Sequence, residues 1–196
     1  PDATIVLTSG GGTNNQSVCQ NAAMTPITFA VSGGGNGATV TGLPTGVSGT
    51  YSGGIVTISG TPSAAGPFNY IVNTTGSCAQ ITATGTITVT PIAAINLTSA
   101  NNTQTRCINV AIANITYTVS GGGTGAGVTG LPAGVTGSFS GGTLTISGAP
   151  TATGTFNYTV ATTGTCSQVT ATGSITVNPD ATIVLTSGGG TNNQSV

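Results

Sequence analysis

The sequence predicts an all-β protein built from antiparallel β-sandwiches in tandem, and two observations lead to this prediction. The chain repeats itself: when residues 21–90 are aligned with residues 109–178, 45 of the 70 positions are identical. Thr, Val and Ile also dominate short segments in which apolar and polar residues alternate, which is the period of a half-buried strand. Each repeat has roughly 90 residues, which is enough for one small hydrophobic core.

Alternation marks the strands of the first repeat in order. Ala3, Ile5 and Leu7 share one face of a strand over residues 3–9. A Gly- and Asn-rich turn follows, and residues 17–23 around Cys19 form a weaker strand. The later strands are indicated by inward-facing residues between Gly, Pro and Asn turns, namely Phe29, Val40, Tyr51, Val56, Ile58, Phe68, Tyr70, Val72, Ile81, Ala83, Ile87 and Val89.

The eight aromatic residues fall into four equivalent pairs, nearly all on the apolar phase of their strands. We therefore predict that they are core residues, which leaves few or none for an exposed platform on which a sugar could stack. The pairs are Phe29 with Tyr117, Tyr51 with Phe139, Phe68 with Phe156, and Tyr70 with Tyr158.

Short strands at this spacing, with no helical period, indicate immunoglobulin-like sandwiches arranged as a rod. The predicted domains are 1–90 and 91–178, with 179–196 as the first strand and loop of a third repeat, because residues 179–196 repeat residues 1–18. The linker prolines, Pro91 and Pro179, make the connections short and stiff. The boundaries could instead lie near 17 and 105, with 3–9, 93–99 and 181–187 as junction strands. Their apolar residues in the two copies are Ala3, Ile5, Leu7, Ala93, Ile95 and Leu97.

Four cysteines lie at matching places in the two copies. The interval from Cys19 to Cys78 is the same as the interval from Cys107 to Cys166. Three pairings are possible, and a pattern that recurs once per repeat favours Cys19 with Cys78 and Cys107 with Cys166. Such bonds would place the chain in an oxidising, extracellular compartment. Buried free thiols are the alternative.

The composition excludes most chemistry. The chain has one basic residue, Arg106, two acidic residues, Asp2 and Asp180, and no histidine. Without a base, an acid pair or a set of ligands, we predict no catalytic residues, no metal site and no cofactor. One arginine cannot support nucleic-acid binding. No apolar run is long enough to span a membrane, so we expect no membrane insertion in this segment.

The block LPTGVSGTYSGGIVTISGTPSAAGPFNYIV and its partner LPAGVTGSFSGGTLTISGAPTATGTFNYTV resemble a bacterial Ig-like repeat that combines L-P-x-G with I-S-G-T-P and an aromatic strand. With the cysteine segment, the whole period is similar to the tandem repeats of giant surface adhesins of gliding bacteria. This resemblance implies a stalk of an extracellular filament at the bacterial cell surface, exported by type IX secretion, without catalysis.

On this hypothesis the repeats extend a tip, transmit force to it, and have neighbouring repeats of the same chain as partners. Two alternatives remain: a module that binds a surface glycan or protein through its loops, and a fibre subunit that self-associates through its junction strands.

Overall fold

The fold is described from a computed structural model, which covers residues 1–184. Within this range every regular element is a β-strand, as the sequence predicted. The first unit contains β1 (Ala3–Leu7), β2 (Asn15–Cys19), β3 (Ile27–Gly33), β4 (Gly35–Thr41), β5 (Val47–Ser52), β6 (Ile55–Gly60), β7 (Gly66–Gly76) and β8 (Thr82–Thr90). The second contains β9 (Ala93–Leu97), β10 (Thr103–Cys107), β11 (Ile115–Gly121), β12 (Gly123–Thr129), β13 (Val135–Ser140), β14 (Thr143–Gly148), β15 (Gly154–Gly164) and β16 (Thr170–Asn178).

Each unit is a sandwich of two four-stranded sheets. In the first unit the sheet orders are β1-β3-β6-β5 and β2-β8-β7-β4, and the second unit has the same orders eight strands later. One sheet therefore holds the first, second, fourth and fifth strands of the immunoglobulin pattern, and the other holds the third, sixth and seventh. The predicted immunoglobulin-like all-β fold is confirmed.

The first strand of each sandwich is split between the two sheets. β1 pairs antiparallel with β3 in one sheet, from Ala3 opposite Gly33 to Leu7 opposite Phe29. The chain then crosses over, and β2 pairs parallel with β8 in the other sheet. β9 and β10 do the same in the second unit. The first two segments considered as junction strands, 3–9 and 93–99, thus pair with strands of the unit that follows them in the chain.

The two cores form around equivalent side chains. Tyr70, Tyr117 and Tyr158 are at most 1% exposed, and Phe29 is also buried. The other four aromatics, Tyr51, Phe68, Phe139 and Phe156, are half-buried and pack against the two core clusters. Among the junction-strand residues, Ala3 and Ala93 are buried, Ile5, Leu7 and Ile95 are half-buried against the cores, and Leu97 is exposed.

A glycine in the last strand of each unit makes room for a buried tyrosine. The Tyr158 hydroxyl passes over Gly173 of β16 and donates to the carbonyl oxygen of Asn102 at 2.9 Å. A Cβ on Gly173 would overlap both the Tyr158 hydroxyl and the Asn102 carbonyl oxygen. Gly85 has the same relation to Tyr70 and Asn14 in the first unit. The close crossing ties β15 to the chain that leads into β10, and β7 to the chain that leads into β2.

The predicted cysteine pairs, Cys19 with Cys78 and Cys107 with Cys166, are wrong. Cys19 ends β2 and lies opposite Thr90, the last residue of β8, whereas Cys78 precedes the start of β8. Since β8 has 9 residues, about 25 Å of strand separates the two cysteines. A disulfide needs Cα atoms within about 7 Å. Cys19 is bonded instead to Cys166 of the other unit, and Cys78 and Cys107 are free thiols.

The predicted third repeat begins at the edge of the described range. Pro179 and Asp180 are exposed, and Ala181–Val184 have no regular structure. The remainder of the proposed strand 181–187 and its loop lie outside the described residues.

Candidate functional site: the disulfide-linked junction

The junction between the two units contains the disulfide between Cys19 and Cys166. Their Cα atoms are 5.5 Å apart, and the bond closes a loop with a sequence separation of 147 residues. The linker around Pro91 crosses the same junction. The two units are therefore joined twice, once by the backbone and once by the disulfide.

Cys166 lies in the turn between β15 and β16, and local hydrogen bonds fix this turn. The buried Thr162 hydroxyl donates to the Val169 carbonyl oxygen at 3.1 Å and accepts from the Val169 amide at 3.0 Å. The Gln168 side chain donates to the Cys166 carbonyl oxygen. The Ala93 amide donates to Ser167 at 3.1 Å, which holds the turn beside the linker. We name residues 162–169 the cysteine turn.

Cys19 is held at the end of a parallel ladder. The Gln20 amide donates to the Thr90 carbonyl oxygen at 2.8 Å, and Asn21 donates to Pro62 at 2.8 Å. Asn21 has a φ of 62°, a left-handed conformation that asparagine tolerates better than most residues. This turn directs the chain away from the ladder immediately after Cys19, so the sulfur is left facing the second unit.

The contacts around the bond come from both units. The Cys19 Sγ lies 3.8 Å from the Thr165 carbonyl oxygen, and the Cys166 Sγ lies 4.0 Å from that of Thr90. The Gln20 side-chain oxygen accepts from the Ile92 amide at 3.4 Å. Cys166 is 8% exposed, and a crevice of about 270 Å³ lies beside the bond. Sequence reasoning missed Gln20 as a junction residue, since nothing distinguishes it from the other polar residues around Cys19.

The described residues offer this junction no acid–base chemistry. Residues 1–184 contain no group of three or more His, Cys, Asp or Glu that could hold a metal ion. No helix in this range is long and apolar enough to cross a membrane. The two predicted linker prolines differ in exposure: Pro91 is half-buried at the junction, and Pro179 is exposed.

The shifted titrating groups are core tyrosines. Burial raises the pKa of Tyr70 to about 12. Burial, followed by the hydrogen bond and the charge of Tyr117, raises the pKa of Tyr158. The Tyr158 and Tyr117 hydroxyl oxygens are 3.1 Å apart. These shifts reflect structural burial, since both side chains are enclosed by the core.

A surface cleft of about 400 Å³ lies over the Tyr70 crossing, lined by Asn14, Asn15, Asn69 and Thr86. Two hydrogen bonds cross its lining: the Thr86 hydroxyl donates to the Asn69 side-chain oxygen at 2.8 Å, and the Asn15 side-chain oxygen accepts from the Thr86 amide at 3.0 Å. These bonds use the side-chain oxygens of Asn15 and Asn69 and leave the NH2 groups of the two side chains to solvent or a ligand.

The architecture defines the class of protein as a tandem of immunoglobulin-like domains, and solved structures agree. The chain is similar to the I-band fragment I67–I69 of titin, with a TM-score of 0.64, 9% sequence identity and 84% of this chain covered. It spans 63% of that fragment. The two domains IG1 and IG2 of DIP-gamma match with a TM-score of 0.55 and 10% identity, covering 93% of this chain and 99% of theirs.

At these identities the likeness concerns the fold alone. No protein-family model matches the sequence, and no curated protein matches it either. The comparisons thus support two immunoglobulin-like domains in tandem.

Proposed function

We propose that this chain is a stalk segment of a long extracellular filament at a bacterial cell surface, which extends an adhesive tip and transmits force to it. The observation that carries the proposal is the disulfide between Cys19 and Cys166, which joins two domains rather than stapling one. A bond inside a domain stabilises that domain. A bond across a junction fixes how two domains follow each other and gives tension a second covalent path.

The same bond supports an extracellular compartment as part of the proposal, because structural disulfides persist in oxidising surroundings. The composition agrees with a passive role. With only Arg106, Asp2 and Asp180 charged, the chain has no residue set for acid–base or nucleophilic catalysis. The resemblance of the repeat to surface adhesins of gliding bacteria supports the cell surface and type IX export as parts of the proposal.

The alternative functions have less support. A binding module would have to use a cleft such as the one over Tyr70, in which the side-chain oxygens of Asn15 and Asn69 already accept hydrogen bonds from Thr86. Self-association through β1 or β9 would have to use their outer edges, since each already pairs with a strand of its own unit.

The proposal is tested by locating the chain on intact cells. Antibodies raised against the chain, coupled to gold particles and applied to unpermeabilised cells, are expected to label thin filaments at regular intervals. Antibodies absorbed beforehand with the purified chain are the control. Labelling that appears only after permeabilisation would overturn the extracellular stalk.

A further inference from the structure

Two free thiols lie at the two outer ends of the described structure, and they are equivalents of the two bonded cysteines. Cys78 occupies in the first unit the place that Cys166 occupies in the second, and Cys107 corresponds in the same way to Cys19. Both are exposed. The bonded pair lies between them, at the inner ends of the two units.

The turn that carries Cys78 is held like the turn that carries the bonded Cys166. The Thr74 hydroxyl donates to the Ile81 carbonyl oxygen at 2.9 Å and accepts from the Ile81 amide at 3.0 Å. Gln80 donates to Cys78 at 2.7 Å, and the Ala3 amide donates to Ala79 at 2.9 Å. Each of these bonds has its counterpart in the cysteine turn of residues 162–169.

The surroundings of Cys107 match those of the bonded Cys19 in the same way. Cys107 lies opposite Asn178 in the parallel ladder of β10 and β16. The amides of Ile108 and Asn109 donate to Asn178 at 2.9 Å and Pro150 at 2.8 Å, as those of Gln20 and Asn21 do in the first unit. Asn109 has a φ of 63°, against 62° for Asn21. The backbone around Cys78 thus matches that around the bonded Cys166, and the backbone around Cys107 matches that around the bonded Cys19.

We propose that Cys78 and Cys107 form interdomain disulfides of the same kind with neighbouring repeats. Cys107 of one two-unit period bonds to Cys78 of the next period. This proposal rests on the proposed function, because it requires repeats that follow one another. Because residues 179–196 repeat residues 1–18, the chain after Asn178 would lead into a third unit as Pro91 leads into the second, which would bring the two thiols together. Every junction would then carry one disulfide.

The chemistry is an ordinary two-electron oxidation. The two Sγ–H bonds break, one Sγ–Sγ bond forms, and two protons and two electrons pass to an oxidant. In the test below the oxidant is glutathione disulfide, which is reduced to two molecules of glutathione.

The test uses a chain in which residues 1–178 are followed directly by residues 1–196, so that two periods are joined by their natural connection. It is folded in a glutathione redox buffer, denatured without reduction, and alkylated, and the labelled thiols are counted by mass spectrometry. Of its eight cysteines, the proposal leaves two free: Cys78 of the first period and Cys107 of the second.

A count other than two would contradict the proposal. Four labelled thiols would mean that the bond between the periods does not form. No labelled thiols would mean that the bonds form within repeats, as the sequence had suggested. Cys107→Ala in the first period is expected to give three labelled thiols, and Cys107→Ala in the second to give one. Equal counts in these two variants would also overturn the proposal. Because the count is independent of where the filament is found, it separates this inference from the stalk function.

Discussion

Loss of the junction disulfide should release a large and calculable length of chain under tension. When the chain is pulled from its two ends, the bond between Cys19 and Cys166 shields a sequence separation of 147 residues from extension. At about 3.5 Å per extended residue, the shielded length is about 510 Å. We expect Cys166→Ala to lengthen the fully unfolded chain by this amount relative to the oxidised parent.

The assay is single-molecule force spectroscopy with handles on both termini, and Cys78→Ala is the matched control. Cys78 occupies the equivalent turn in the other unit, but it is a free thiol, so its replacement should leave the unfolded length unchanged. Reduction of the parent should reproduce the Cys166→Ala result.

A different set of lengths would refute the reasoning. If each repeat were closed by its own bond, Cys78→Ala and Cys166→Ala would each release about 200 Å, and reduction about 400 Å. A gain of about 510 Å in the fully unfolded length, seen in Cys166→Ala and on reduction but not in Cys78→Ala, is specific to the bond between the units.

Three further predictions concern the tyrosine crossings. Gly173→Ala should destabilise the second unit by several kcal/mol in urea unfolding, because its Cβ would overlap the Tyr158 hydroxyl; Gly127→Ala, which meets no atom within 4 Å, should be within about 0.5 kcal/mol of the parent. Tyr158→Phe removes two hydroxyl contacts and should cost about 1–3 kcal/mol, more than Tyr70→Phe, which removes one; equal losses would contradict this. The pKa of Tyr70 is about 12 in the fold and about 10 when unfolded. Its contribution to the free energy of unfolding is therefore complete below pH 10 and is lost as the pH rises through 12. A thermal midpoint that stays flat to pH 12 in thiol-alkylated protein would refute the last prediction.

The strand pattern could be predicted from the sequence because each strand carries its own signal. Alternation identified Phe29 and Tyr70 as core residues, and both are buried. The place of Cys19 carried no such local signal. It depends on the crossover that puts β2 beside β8 in parallel. A parallel partner so distant in the chain leaves no trace in the alternation of either strand.

The junction itself was harder to predict than the core. The repetition of the cysteines is equally consistent with a bond inside each repeat and with a bond from each repeat to the next, because both patterns recur with the same period. Only the separation of Cys19 and Cys78 by the length of β8 distinguishes them. Thr90 takes part through its backbone carbonyl oxygen, which every sequence position possesses. Gln20 uses its backbone amide and also its side-chain oxygen, which accepts from the Ile92 amide, and no local pattern marks that contact.

The proposed ladder of disulfides would limit how far the rod can extend. The segment of chain from Cys78 to Cys107 runs from the outer end of one unit to the outer end of the other. Fully extended, this segment measures about 100 Å. Two folded units already span about 70 Å, since the 11 residues of β7 measure about 36 Å.

Tension could therefore lengthen the pair by only about 30 Å before covalent bonds carried it, whereas an unlinked period could extend to about 600 Å. Strands β3–β7 and β11–β15 lie between one cysteine of a unit and the next, so they branch off the covalent path and carry no tension. On this reasoning the two cores need only keep the cysteines in place while the disulfides and the chain segments between them transmit the force.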